Sequence, residues 1–460
     1  MTLDLEDAIR DTLQARAAAL VVRGDLAHRI ELRAARRQRR RRAVGAAVAA
    51  AAVLVVTGVG IRVGTTGGPA QVTVGSGQSE GSWQPLPPAP IDGRSSAYSV
   101  WTGHEMLIWA GDDETQALGG PFVEPGQRYD GAAYNPSTHT WRRIAAAPFP
   151  IANDVKPVAV WTGTEMLVFG ARSSLADTAA MAYNPATNRW RVLATPPPGL
   201  NLFQASAVWA GHQALIVGGA TEKVIGAVTA SLGAVTASQR PNASYDPTTN
   251  TWKVIAASPL GPLQDETLAW TGHDMLVWGG SNPSGPLSTH EGAAYDPRTN
   301  TWQVLPQAPI ATRSDASAAW TGHELLIWGG ALATVSAGDG AAYEPTTNTW
   351  RALAPANLPP LIPNTTLWTG DRLLIIGGRI RRVVNGNNVA DQITSDGAAY
   401  TPAANTWAVI TPEPTALCFL PNAVWTGHTA IIWGGQPCPP GNQTPGPPLA
   451  STDRGAVYTP

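Results

Sequence analysis

Short apolar runs that end on an aromatic or a glycine recur down the chain at a spacing of about fifty residues. They read Met106-Leu-Ile-Trp109, Met166-Leu-Val-Phe169, Ala214-Leu-Ile-Val217, Met275-Leu-Val-Trp278, Leu325-Leu-Ile-Trp328, Leu373-Leu-Ile-Ile376 and Ala430-Ile-Ile-Trp433. Four-residue apolar segments bounded by turn residues predict fully buried strands rather than helices. A tryptophan that opens a tight turn precedes each run: Trp101, Trp161, Trp209, Trp270, Trp320, Trp368 and Trp425, in Trp-Thr-Gly six times and Trp-Ala-Gly once. A glycine-containing stop follows each run, as in Gly279-Gly280 or Gly434-Gly435. Next comes a tyrosine, at Tyr134, Tyr183, Tyr245, Tyr295, Tyr343, Tyr400 and Tyr458, and seven residues beyond the first six of these a tryptophan, at Trp141, Trp190, Trp252, Trp302, Trp350 and Trp407.

A period near fifty with glycine pair, tyrosine and tryptophan marks kelch-type blades. From about Ser82 to Pro460 the chain resembles the kelch-repeat and galactose oxidase central-domain family of β-propellers. The expectation is an all-β, seven-bladed propeller of four-stranded antiparallel blades. The seventh tyrosine, Tyr458, has no following tryptophan, but Trp83 stands eighteen residues before Trp101, the interval that separates Trp252 from Trp270 and Trp407 from Trp425. Residues 83–87 are therefore expected to supply the outermost strand of the last blade and close the ring without a covalent link. All 18 tryptophans fall inside this repeat and are read as packing residues.

The first 82 residues carry a different pattern. Residues 3–22 place Leu5, Ile9, Leu13 and Leu20 near one face of a short amphipathic helix. Seven arginines between Arg33 and Arg42 precede the uncharged stretch 43–61, which is long enough to cross a bilayer. The arginine excess predicts a cytoplasmic N-terminus and an extracytoplasmic propeller. The expected organisation is a cytoplasmic head over 1–42, a transmembrane helix over 43–61, a Gly/Ser/Thr-rich tether over 62–82 and the propeller over 83–460. The two cysteines, Cys418 and Cys438, lie on strands folded about the turn at 426–429, where opposed residues sum to about 855; theirs sum to 856. A disulfide is expected in that compartment.

A net charge of −2 with only 14% charged residues argues against a nucleic-acid surface. The stretch from glycine stop to tyrosine varies from about 13 to about 26 residues between blades, while the turns on the other face keep their length. Constant scaffold with variable loops points to the b–c/d–a face as the binding mouth. Residues at the start of each inner strand are expected to line it: Asp92, Arg94, Asp154, Lys156, Phe203, Gln204, Asp265, Glu266, Arg313, Asp315, Asn364 and Asn422. Of these, Asp265, Glu266, Arg313 and Asp315 form the most polar group. Phe122, Tyr129, Phe203 and Phe419 are aromatics outside the repeat on the same side.

The resemblance includes a copper oxidase whose centre uses two tyrosines and two histidines. Five histidines, His104, His212, His273, His323 and His428, instead occupy one repeat position in the a–b turn on the far face, and only His290 falls in a b–c loop. No metal, cofactor or catalytic set is assigned. The reading is a membrane-tethered, monomeric propeller that binds a protein or glycan without chemistry. Two alternatives stand beside it: a carbohydrate-active or glutaminyl-cyclase-type enzyme with its site in the same mouth, and a regulator that signals through the cytoplasmic head.

Overall fold

The computed structural model describes residues 79–460 apart from 113–127, 152–157, 172–177, 201, 203–204, 220–240, 262, 282–290, 385–387, 415–416, 420 and 438–450. Among the described residues there is no helix, and hence none long and apolar enough to cross a membrane. The expected head, the span 43–61 and most of the tether lie outside the described residues, as does Cys438 of the expected disulfide.

Seven four-stranded antiparallel sheets follow one another along the chain. Blade 1 runs through Tyr98–Trp101, Met106–Trp109, Gly131–Asn135 and Thr140–Arg143, strands a to d from the axis outward. Blades 2 to 6 repeat that order, ending with Ile362–Trp368, Leu373–Val384, Asn388–Thr401 and Thr406–Val409 in blade 6. Blade 7 takes strands a to c from Asn422–Trp425, Ala430–Trp433 and Gly455–Thr459, and its fourth strand from Ser82–Pro85. The pairing is Ser82↔Thr459 through Pro85↔Ala456, which places Trp83 beside Tyr458 as Trp141 stands beside Tyr134.

Every outer tryptophan ties its blade to the one before it. The indole N–H of Trp141, Trp190, Trp252, Trp302, Trp350 and Trp407 donates to a carbonyl of the preceding blade's tail, at 2.7–3.0 Å. Trp83 makes the seventh such bond, to Thr411 O at 2.7 Å, so the non-covalent joint is built like the covalent ones. The closing segment also reaches past its own blade. Glu80 bonds the backbone of Val409 and Thr411, and its carboxylate meets Arg372 at 2.5 Å.

The second strand of each blade is the core. Met106–Trp109, Met275–Trp278, Leu325–Trp328 and Ala430–Trp433 are buried at every position, on both faces of the sheet. The inner tryptophans Trp109, Trp278, Trp328 and Trp433 are wholly buried, whereas the seven turn-opening and seven outer tryptophans are only half-buried. Each of those fourteen is a seam residue, with one edge packed on a neighbouring blade or strand and one edge at the surface.

The glycine pairs let blades approach closely. Gly434 sits at φ 76 with a hypothetical Cβ only 2.4 Å from Arg94 O, and Gly279 at φ 72 with one 2.5 Å from Arg313 O. Neither the backbone conformation nor the contact tolerates a side chain. The following N–H groups use that proximity: Gly435 donates to Arg94 O, Gly280 to Arg313 O and Gly330 to Leu361 O, each stitching one blade to the next.

Candidate functional site on the b–c/d–a face

Three inner strands begin with the same corner. Ser96, Asp265 and Asp315 occupy equivalent positions in blades 1, 4 and 5 and all take left-handed backbone, at φ 50, 59 and 56. Short polar side chains tolerate that region better than others, at some cost. Beyond each corner the chain pairs once more with the neighbouring b strand, through Ser95↔Asp112, Gln264↔Ser281 and Ser314↔Ala331. The Asp315 N–H donates to Asp265 O at 3.1 Å, so two of these corners are joined across the seam between blades 4 and 5. That bond brings two half-buried aspartates onto adjacent corners at the start of the inner strands.

The long b–c hairpin of blade 6 brings in the opposite charge. Its strands stay paired from Gly378↔Thr394 to Val384↔Asn388 after a register shift at Ile376/Gly378. Arg381 binds Asp391 through two nitrogens, at 2.9 and 3.1 Å, and Arg379 reaches the same carboxylate at 3.5 Å. The hydrogen bond from Arg381 holds Asp391 below the usual carboxylate range, while Asp391 and, more weakly, Asp315 raise Arg381. The hairpin is fastened to blade 5, whose own b–c connection is the small hairpin Ala331–Leu332 with Val335–Ser336. Ser336 Oγ accepts from the Arg381 N–H at 2.7 Å and donates to Arg379 O at 3.1 Å. Blades 4 to 6 thus place the Asp265 and Asp315 corners on the face that carries Arg379, Arg381 and Asp391, with Asp315 close enough to Arg381 to raise its pKa.

The other expected mouth residues divide by burial. Arg94 and Arg313 lie under the surface with no exposed side chain, where they brace the b–c loop of their own blade. Arg94 donates to the carbonyls of Asp92, Ala110 and Asp130 and pairs with the Asp130 carboxylate at 2.8 Å. Arg313 repeats the arrangement with Ala311, Gly329 and Asp339, at 2.6 Å from the carboxylate. Burial lowers the Arg94 pKa, and Asp130 opposes that shift. The sequence placed these two arginines at the right height in the fold but could not tell a loop brace from a surface contact. Glu266 is also buried, packed toward Gly218 of blade 3. Asn422 is buried with its amide donating to Trp433 O at 3.4 Å. Asn364 is half-buried, and Asp92 is exposed beside Arg128 at 3.3 Å. Asp154, Lys156, Phe203 and Gln204 lie outside the described residues, as do Phe122 and His290.

Arg379, Arg381 and Asp391 were missed because the stretch between glycine stop and tyrosine was read as loop. Asn385-Gly386 after the β-branched pair Val383-Val384 is the sequence signal of a hairpin and could have found them.

Tyr129 is half-buried on the mouth side, its phenol pKa raised by burial and by Asp112. His104, His212, His273, His323 and His428 all sit in a–b turns, on the opposite face. Among the described residues the mouth face holds no histidine.

No protein-family model matches the chain, and no curated protein does. Among solved structures, a fungal alcohol oxidase described as having catalytic diversity among the AA5 family, in complex with copper, is similar over 83% of this chain and 76% of that one. The TM-score is 0.57 and the identity 14%. Likeness at that identity shows a shared propeller fold and nothing about chemistry.

Proposed function

We propose that this chain is a membrane-tethered, extracytoplasmic propeller that binds a protein or glycan on its b–c/d–a face and does no chemistry there. The observation that carries the reading is the cluster of Asp265, Asp315, Arg379, Arg381 and Asp391, assembled from three blades on left-handed corners and a stitched hairpin. Carboxylates and guanidinium groups on one face match ligands that offer both donors and acceptors, such as vicinal hydroxyls or charged peptide side chains. The arginine run before 43–61 supports the tether, and the expected cytoplasmic side of the head follows from it.

A screen of the full chain against glycan and peptide arrays, with turnover assays on each hit, tests this. Asp315→Lys should weaken any hit about tenfold or more while the melting temperature holds, and His104→Ala on the far face should leave binding unchanged. Turnover of a hit would favour the enzyme reading, which the copper oxidase neighbour suggests by fold alone; equal losses from both substitutions would remove the site from this face.

The Cys418–Cys438 bridge belongs to the same reading. The strand Leu417–Phe419 pairs with Gln436–Pro437 through Leu417↔Pro437 and Phe419↔Gln436, which supports the register behind it. Two alkylatable thiols in the native, unreduced chain would refute the bridge.

A further inference from the structure

Blade 4 departs from its siblings on the face opposite the mouth. In blades 1, 2 and 5 the a–b turn ends on a glutamate clamped by the arginine of strand d: Glu105 by Arg142, Glu165 by Arg191 and Glu324 by Arg351, each at 2.6 Å. The same arginines donate to the tyrosine hydroxyl of the next blade, Tyr183, Tyr245 and Tyr400. In blade 4 the acid is the shorter Asp274, and Gln303 occupies the arginine's place on strand d. Without the clamp, Asp274 pairs with His273 Nδ1 at 2.7 Å.

The c–d turn of the same blade adds a second carboxylate. Asp296 stands where blades 1 and 2 carry Asn135 and Asn184. His273, Asp274 and Asp296 each bring one ligand atom within 4.8 Å of the others. Their backbones are fixed. Thr271 Oγ1 accepts from the His273 and Asp274 N–H groups at 3.1 and 2.8 Å, and Asp296 Oδ1 accepts from the Arg298 N–H at 2.8 Å. A positive charge already rests there, because the Arg298 guanidinium touches both His273 Nε2 and Asp296.

We propose that His273, Asp274 and Asp296 form a surface site for one divalent transition-metal ion of the zinc class, with Arg298 as the resident cation that the metal displaces. One imidazole nitrogen with two carboxylates suits zinc better than magnesium or calcium, and three protein ligands leave room for water. With Gln303 in place of Arg142's equivalent, Asp274 lacks a clamping arginine on strand d, and Asp296 adds a carboxylate that Asn135 and Asn184 do not supply. Blades 1 and 5 keep the histidine, as His104 and His323, but their acid stays bound to arginine, so they serve as internal controls.

Calorimetric titration of the full chain with zinc chloride alone, and separately with magnesium chloride, tests the site. The expected result is one equivalent of zinc bound and no magnesium isotherm. His273→Ala and Asp274→Asn should each abolish the zinc isotherm, Asp296→Asn should weaken it roughly tenfold or more, and His323→Ala should leave it unchanged. Arg298→Ala should tighten it by removing the competitor. Stoichiometric zinc binding that survives both His273→Ala and Asp274→Asn, or its absence in the wild-type chain, would overturn the proposal. Weaker binding in Arg298→Ala would overturn the displacement.

Discussion

The two faces of the disc solve different problems with the same strands. On the far face nearly every blade repeats one device: the tyrosine of strand c donates its hydroxyl to an asparagine five residues on, as Tyr183 to Asn188, Tyr245 to Asn250, Tyr295 to Asn300, Tyr343 to Asn348 and Tyr400 to Asn405, at 2.7–2.8 Å. The asparagine oxygen accepts a backbone N–H of the preceding blade as well, from Ala145, Ala194, Ala256 and Ala354 to Asn188, Asn250, Asn300 and Asn405. The asparagines take left-handed backbone, near φ 51–56, to do so. On the mouth face the connections differ in length and composition, and only the glycine stitches and the corners recur. Repetition marks what holds the ring together. Variation marks what can change without loosening it.

If the tyrosine relays carry the ring, deprotonating them should dissolve it, and this is the largest effect expected. Burial raises the phenol pKa of all seven repeat tyrosines, with Tyr295 and Tyr458 pushed up to about 12. A group whose folded pKa lies above its unfolded value of about 10 contributes stability in full below that value and loses it as pH rises through the folded pKa. Unfolding should therefore begin above about pH 10 and be complete near 12. Phenolate absorbance and circular dichroism should change together. Tyrosines that ionise while the fold persists would show that the relays are dispensable.

The next effect separates the non-covalent joint from the covalent ones. Trp83→Ala removes a half-buried indole, its 4.9 Å ring contact with Tyr458 and its bond to Thr411 O. The expected loss is about 2–4 kcal/mol in urea unfolding. Trp302→Ala removes the matching set against Tyr295 and Ala256 O and should cost about the same. A much smaller loss at Trp83 would show that Glu80 and its neighbours, rather than the tryptophan, fasten the ring.

The far face was legible in the sequence because each of its bonds is local or repeats at the blade period. The asparagine five residues after each of five repeat tyrosines is a fixed offset from which the relay was readable, and the eighteen-residue interval at Trp83 announced the joint. The mouth was legible only in outline. The position of Asp265 and Asp315 at the head of strand a was readable, but the bond between their corners crosses blades. Arg94 and Arg313 read as surface charges because the carbonyls and aspartates that bury them lie 16 to 36 residues away. Arg379, Arg381 and Asp391 needed the length of one hairpin, which only pairing reveals.

The smallest expected effect lies on that hairpin. Arg381 is 26% exposed and Asp391 20%, so their pair is half-screened and Arg381→Ala should cost less than about 1 kcal/mol of global stability. Its local effect should be larger, because the Arg381–Asp391 pair and the Ser336 bonds add to the buried Ile380 and Ile393 in holding the hairpin. The depressed pKa of Asp391 gives the sign: its contribution is present above the unfolded carboxylate value of about 3.9 and is lost as pH falls through the lower folded value. Hydrogen-exchange protection factors, which divide out the slower intrinsic exchange in acid, should fall at the amides of 379–383 on acidification toward that range and in Arg381→Ala at neutral pH, while the buried strand Met275–Trp278 stays protected. Equal losses of protection in both regions would mean that the hairpin belongs to the ring's cooperative core, and the division between a repeated scaffold and a variable mouth would fail at blade 6.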